Sequence, residues 1–178
     1  FFDPEEISNL KKLIRPGETK LVWIETPANP TFSCVDIEEV AKILKGSGAR
    51  LCVDSTIATP ILTRPIELGA DVVMHSATKY LNGHGDVTAG VLITARQDEW
   101  WDQIRDIRSS HGKILSPSDT WLLLRGIRTL DLRVRKSCES AMAIAKHFEF
   151  NSKISKVLYP GLDSTKTHII ASKQMMGG

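Results

Sequence analysis

The 178-residue chain lacks most of the features that place a protein quickly. It has three cysteines, Cys34, Cys52 and Cys138, widely spaced and without a CxxC. An odd, dispersed set builds neither a disulfide framework nor a zinc ribbon. It reads as small buried hydrophobes in a reducing, cytoplasmic setting. The histidines show no metal-ligand spacing, so no metal is expected. No apolar run approaches the roughly 18 residues of a membrane helix. An excess of one charge is also missing: 23 Lys and Arg against 21 Asp and Glu leave a formal +2, which argues against nucleic acid or a polybasic membrane contact. There is no GxxxxGK[ST], and no GxGxxG after a strand, so neither nucleotide fingerprint applies. Repeats and low-complexity segments are absent. The chain opens on Phe1-Phe2 without a methionine and stops at Met175-Met176-Gly177-Gly178, so its ends read as cuts within a longer protein.

What is present is ordinary globular material, 42% hydrophobic and 25% charged, enough for a sizeable core. Residues 21–25 form a short apolar run that stops at Thr26-Pro27, a buried strand. Asp36 opens a helical pattern with Val40, Ile43 and Leu44 on one face, and Glu39 completes a capping-box spacing. Strands follow at 50–55, 71–76 and 90–94. Strand, helix, strand in this order implies an α/β domain with a mostly parallel sheet. The link from the third strand to the fourth is short and glycine-rich, which suits an antiparallel return. Helices are predicted over 97–110 and 118–150, the latter broken near Gly126. Trp100-Trp101 reads as one core and one surface residue. A strand is expected at 154–159, and a domain boundary near residue 130.

In open α/β sheets ligands sit past the carboxyl ends of the strands. Three polar segments lie there: Glu25-Thr26-Pro27-Ala28-Asn29-Pro30-Thr31, Asp54-Ser55-Thr56, and Ser76-Ala77-Thr78-Lys79. Brought together they supply an amide, a carboxylate, hydroxyls and a lysine. Singly, each has a plainer role as a solvated lysine, a cap or a turn residue. Jointly they match what pyridoxal phosphate requires. A lysine amine condenses with its aldehyde, a carboxylate holds the pyridine nitrogen protonated, and hydroxyls take the phosphate.

The run from Asp54-Ser55-Thr56 through Leu68-Gly69-Ala70-Asp71-Val72-Val73-Met74-His75-Ser76-Ala77-Thr78-Lys79-Tyr80-Leu81-Asn82-Gly83-His84-Gly85-Asp86-Val87 closely resembles the Cys/Met-metabolism (trans-sulfuration) family of pyridoxal-phosphate enzymes. The Glu25 to Thr31 segment and Leu124-Arg125-Gly126-Ile127-Arg128-Thr129-Leu130 look like two further family segments. The resemblance covers nearly the whole chain. It implies an aspartate-aminotransferase-like, fold type I architecture: a mostly parallel sheet with helices on both faces. Residues 1–130 would be the later part of the large cofactor-binding domain, and 131–178 the start of a smaller α+β C-terminal domain.

The resemblance also implies roles. Lys79 would be the Schiff-base lysine and proton carrier, Asp54 the partner of the pyridinium nitrogen, and Ser76 and Thr78 the phosphate ligands. Asn29 would face the phenolic oxygen and Thr56 would support the ring. His84 and Asp86 read as a structural loop beside the lysine. A ring-stacking tyrosine, a glycine-containing phosphate loop, a Tyr/Arg pair and a substrate-carboxylate arginine belong to family regions outside this chain. Asp163-Ser164-Thr165-Lys166 stands where the family pattern has a His-Pro pair. The implied enzyme is of the cystathionine γ-synthase or γ-lyase type. It would act on small amino-acid substrates by Schiff-base exchange, Cα deprotonation and γ-elimination or replacement, as a cytoplasmic homo-oligomer, a dimer of dimers. The alternatives are cystathionine β-lyase, methionine γ-lyase or O-acetylhomoserine sulfhydrylase and, from another class, a non-catalytic fragment or oligomerising module.

Overall fold

The computed structural model describes residues 1–3 and 6–177. In chain order it contains α1 (Ile7–Leu13), β1 (Leu21–Glu25), α2 (Ile37–Leu44), β2 (Arg50–Asp54), α3 (Thr59–Leu62), a 3-10 turn (Pro65–Leu68), β3 (Val72–Ser76), β4 (Gly90–Thr94), α4 (Glu99–Ser110), α5 (Pro117–Ile127), α6 (Leu130–Phe148) and α7 (His168–Gln174). The four strands lie in the order β1-β2-β3-β4. β1, β2 and β3 pair in parallel, and β4 returns antiparallel to β3 with Ser76 opposite Gly90. The sheet and its short antiparallel return agree with the sequence expectation.

Local chemistry explains the elements. Asp36 caps α2, its carboxylate accepting from Glu39 N at 3.0 Å. The covered face of that helix, Ile37, Val40 and Leu44, packs with Val22, Ile24, Leu51 and Val53 into one core cluster. β2 is central and buried along its middle. β1 departs from the fully buried strand expected: Val22 and Ile24 are buried, but Leu21 and Trp23 are exposed. It is an edge strand covered on one face, so its side chains alternate.

A second cluster lies beyond the strands. Ala77, Leu81, Val87 and Ala89 from the β3–β4 connection meet Ala58 and Leu62 of the α3 region and Leu123, Leu130 and Val134 of α5 and α6. The break in the long helical stretch falls at Arg128 and Thr129, two residues past Gly126, which is buried inside α5. α4 has no buried residue, so the Trp100-Trp101 expectation fails. Both rings are half-exposed, and Trp100 lies under the Arg50 guanidinium at 5.2 Å.

The expected strand at 154–159 is absent. That segment is irregular, because among the described residues no strand edge lies alongside it to share its N–H and C=O groups. Tyr159 instead packs toward α6, its hydroxyl donating to the Cys138 carbonyl at 3.4 Å. α7, which no local pattern foretold, brings the end of the chain back to the β1–α2 junction. There Gln174 Oε1 accepts from Ile37 N, and its Nε2 donates to the Val35 carbonyl at 3.0 Å.

Candidate functional site

Parallel pairing sets Glu25 beside Asp54 and Asp54 beside Met74. The segments following β1, β2 and β3 therefore leave the sheet at one edge, where open α/β sheets place ligands.

At the end of β2, Asp54 Oδ1 accepts from Thr56 N at 3.0 Å and from Thr56 Oγ1 at 2.6 Å. The same hydroxyl accepts from Ser76 N at 2.8 Å. Thr56 thus spends its one proton on the carboxylate and its lone pair on β3, which fixes Asp54 and the end of β3 together. Beneath them His75 is buried, and its Nδ1 donates to the Ser55 carbonyl at 3.1 Å. Burial pulls the His75 pKa down, against smaller opposing pulls from that hydrogen bond and from Asp54. The ring is neutral support for the site.

After β3 the chain makes a tight turn: Lys79 N donates to Ser76 O at 3.0 Å, Asn82 N to Ala77 O at 3.0 Å, and Gly83 N to Lys79 O at 2.7 Å. Ala77 and Leu81 point into the core while Lys79 between them is exposed. Lys79 lines an open groove of about 790 Å³ with Tyr80, Gly83, Leu132, Arg133 and Lys136. Thr78 is tied to the strand beyond: its Oγ1 accepts from Ala89 N at 2.9 Å and donates to Ala89 O at 3.3 Å. His84 Nδ1 donates to Asn82 O, and Asn82 Nδ2 to Asp86 Oδ1, both at 2.7 Å. These contacts agree with a structural loop beside the lysine.

Asn29 lies on the exposed loop after β1, its backbone N–H donating to Glu25 Oε1 at 3.2 Å. The loop's ends are joined by Val35 N donating to Thr26 Oγ1 at 3.1 Å. Among the described residues, the Asn29 amide, Asp54 Oδ2, Ser76 Oγ and Lys79 Nζ make no hydrogen bond within the chain. Thr56 and Thr78 have their hydroxyl protons in use. Two contributors escape sequence reasoning, Arg133 and Gln174. Their partners lie far away in sequence, and neither sits in a motif that marks it.

The family model for Cys/Met metabolism PLP-dependent enzymes matches residues 1–178. The chain belongs to this family. A cystathionine beta-lyase of Lactococcus lactis subsp. cremoris is 47% identical over 176 residues, covering 98% of this chain and 46% of the relative. A cystathionine gamma-lyase of Dictyostelium discoideum is 42% identical, covering 99% of this chain and 45% of the relative. The crystal structure of metB from Corynebacterium glutamicum superposes with a TM-score of 0.93 at 40% identity, covering 99% of this chain and 45% of that one. The chain therefore spans about half the length of the relatives it matches, and its fold is the type I architecture expected.

The family's cofactor is pyridoxal 5'-phosphate. The donor set suits it. An exposed lysine amine can meet an aldehyde, a carboxylate oxygen with no partner within the described residues can meet a ring nitrogen, and a serine hydroxyl with its proton uncommitted can meet a phosphate.

Proposed function

We propose that this chain is the cofactor-anchoring part of a pyridoxal-phosphate enzyme of cysteine and methionine metabolism, of the cystathionine γ-synthase or γ-lyase type. The observation that carries the reading is that Thr56 joins Asp54 to the Ser76 backbone at the sheet edge from which the turn bearing Lys79 leaves β3. When bound, the cofactor supplies an electron sink for a carbanion next to the substrate amine.

The chain's own residues do the rest. Lys79 would hold the cofactor through its aldehyde carbon, and its Nζ would take and return protons during turnover. Asp54 keeps the pyridine nitrogen protonated, because a neighbouring negative charge favours the charged ring. Thr56 holds Asp54 in place. Ser76 would donate to the phosphate, and Thr78 would join it there. Asn29 donates its amide to the phenolic oxygen.

Residues 1–130 form the later part of the large domain and 131–178 begin the small one, a division supported by the helix break at Arg128 and Thr129. The substrates are small amino acids such as cystathionine, O-activated homoserine, cysteine or methionine. A homo-oligomer, a dimer of dimers, is supported by the exposed apolar side chains Trp121, Leu124, Leu132 and Ile144 on α5 and α6. A cytoplasmic setting agrees with three free cysteines.

The test is borohydride reduction of the cofactor-loaded protein followed by peptide mapping. Label on Lys79 is expected; label on another lysine would overturn the assignment. A β-lyase reading also stands, because the Lactococcus relative bearing that name shares 47% identity against 42% for the γ-lyase. Cystathionine turnover separates the two: hydrolytic γ-cleavage releases cysteine, 2-oxobutyrate and ammonia, and β-cleavage releases homocysteine, pyruvate and ammonia.

A further inference from the structure

We infer that Arg133, on α6, is a positioning residue for Lys79: it clamps the lysine turn to the α5–α6 junction. The inference deepens the function proposed above and rests on the role given there to Lys79.

Every nitrogen of the Arg133 guanidinium is committed. Nη1 donates to the carbonyl of Tyr80, the residue after the lysine, at 2.8 Å. Nη2 donates to the Gly126 carbonyl at 2.8 Å, and Nε to Thr129 Oγ1 at 3.0 Å. Thr129 Oγ1 itself donates to Gly126 O at 3.2 Å, closing the set. All these acceptors are neutral oxygens, and among the described residues no carboxylate pairs with Arg133. Such an arginine is not a surface ion-pair partner. Its planar fork holds two carbonyls from distant parts of the chain at a set separation, as a flexible lysine would not. Gly126 O lies in the last turn of α5 and already accepts from Thr129 N at 3.2 Å; carbonyls at a helix C-terminus carry partial negative charge, so a cation is well placed there.

Close packing on the same face is independent support. A Cβ on Gly83 would lie 2.0 Å from Arg133 Nη1, and Gly83 has a φ of +73°. A Cβ on Gly126 would lie 2.2 Å from the Asn82 carbonyl oxygen. The guanidinium therefore rests on backbone at one end of the turn and holds the Tyr80 carbonyl at the other, while α5 braces Asn82 between them. Lys79 has a long, flexible side chain and an amine without a partner within the described residues. Its reach is set by where the backbone anchors it, and small displacements of a reacting group are costly in rate.

The test compares wild type with Arg133→Lys, Arg133→Ala and Thr129→Val. Hydrogen exchange is read on the cofactor-free protein, and a pH titration of the visible cofactor band on the loaded protein. Loss of charge-assisted hydrogen bonds should speed exchange at Asn82 and Gly83 about tenfold or more in both Arg133 variants, and less in Thr129→Val. Amides of β1 and β2 should keep their wild-type rates, and the pH midpoint of the band should move in the same order of variants. Should Arg133→Ala fail to fold, Arg133→Lys and Thr129→Val carry the comparison. Unchanged exchange in the turn overturns the inference, as does faster exchange spread evenly over the chain. Faster local exchange with an unmoved pH midpoint overturns it too, since the clamp would then not reach the lysine. Borohydride label absent from Lys79 in wild type sinks the proposed function and this inference together; label on Lys79 with any of the other adverse results sinks this inference alone.

Discussion

The two core clusters of the molecule are built differently. The first joins β1, α2 and β2 through large aliphatic side chains, and most of its members lie between Val22 and Val53. The second surrounds the lysine turn and draws on Ala58, Ala77 and Ala89 as well as Leu123, Leu130 and Val134, from opposite sides of β4 and α4 in the sequence. The first is a βαβ scaffold whose neighbours in sequence are neighbours in space. The second brings backbones close together with small residues and long-range polar clamps, and it is the one that presents Lys79. A scaffold of local contacts therefore sets the sheet edge, while the placement of Lys79 depends on parts of the chain that arrive later.

The sharpest way to break this contrast is a pair of substitutions, one in each cluster. Ile37 is wholly buried in the first cluster. Ile37→Ala should cost about 2–5 kcal/mol in urea unfolding with little change in m. The molecules that stay folded should still take borohydride label on Lys79. Gly126→Ala places a Cβ 2.2 Å from the Asn82 carbonyl oxygen, and overpacking of this kind costs about 1–3 kcal/mol. Its effect should fall on the turn, so labelling of Lys79 per folded molecule should drop although less stability is lost. If Ile37→Ala depletes the label more than Gly126→Ala at equal folded fraction, the clusters do not divide scaffold from site.

The same division decides how much could be read from the sequence. β1 to β4, the α2 cap at Asp36 and the departure from one sheet edge of the segments that carry Asn29, Asp54, Ser76 and Lys79 follow from short-range pattern: apolar runs, a capping spacing, polar residues just past strand ends. The side-chain bond from Thr56 to Asp54 spans two positions and is legible as a local motif. Arg133 and Tyr80 are 53 positions apart, and Gln174 and Val35 are 139 apart. Nothing in helical or strand periodicity marks such pairs. The strand expected at 154–159 failed for the related reason that β structure needs an edge to pair with, which the local sequence does not announce. The Trp100-Trp101 expectation failed because helical spacing on α4 predicts a covered face only where another element arrives to cover it.

A smaller effect tests the seam between the start and the end of the chain. Burial alone would push the Asp36 carboxyl pKa up, but hydrogen bonds from Lys173 and from Glu39 N outweigh it and hold the group below its ordinary value of 3.8. A depressed carboxyl pKa contributes stability above the unfolded value, and that contribution is lost as pH falls through the folded one. Asp36→Ala removes the α2 cap and should cost about 1 kcal/mol near neutral pH. The half-exposed Lys173 pair should add little, because solvent screens it. The difference between variant and wild type should shrink as the pH is lowered below 3.8. A difference that stays constant across that acid range would mean that the Asp36 charge does not hold the cap or α7.

The smallest effect leaves stability untouched and reads the two regions by their thiols. Cys34 and Cys52 belong to the first region and are 3% and 2% exposed. Burial raises the Cys34 thiol to about 11, with a smaller opposing pull from Thr26, and burial together with the Asp54 charge raises Cys52 to about 12. Cys138, on α6 beside the second cluster, is only half-buried; burial raises its pKa as well, with Arg135 pulling the other way. Because the thiolate is the reactive form, all three should alkylate slowly at pH 8, Cys138 first and Cys52 last. Labelling of Cys34 and Cys52 requires the βαβ scaffold to open, so their rates report its local stability, whereas that of Cys138 reports the packing beside the lysine turn. Iodoacetamide labelling followed by peptide mass spectrometry measures the order directly. If Cys52 reacted as fast as Cys138, the scaffold would open as readily as the region around the lysine, and the division drawn between them would fail.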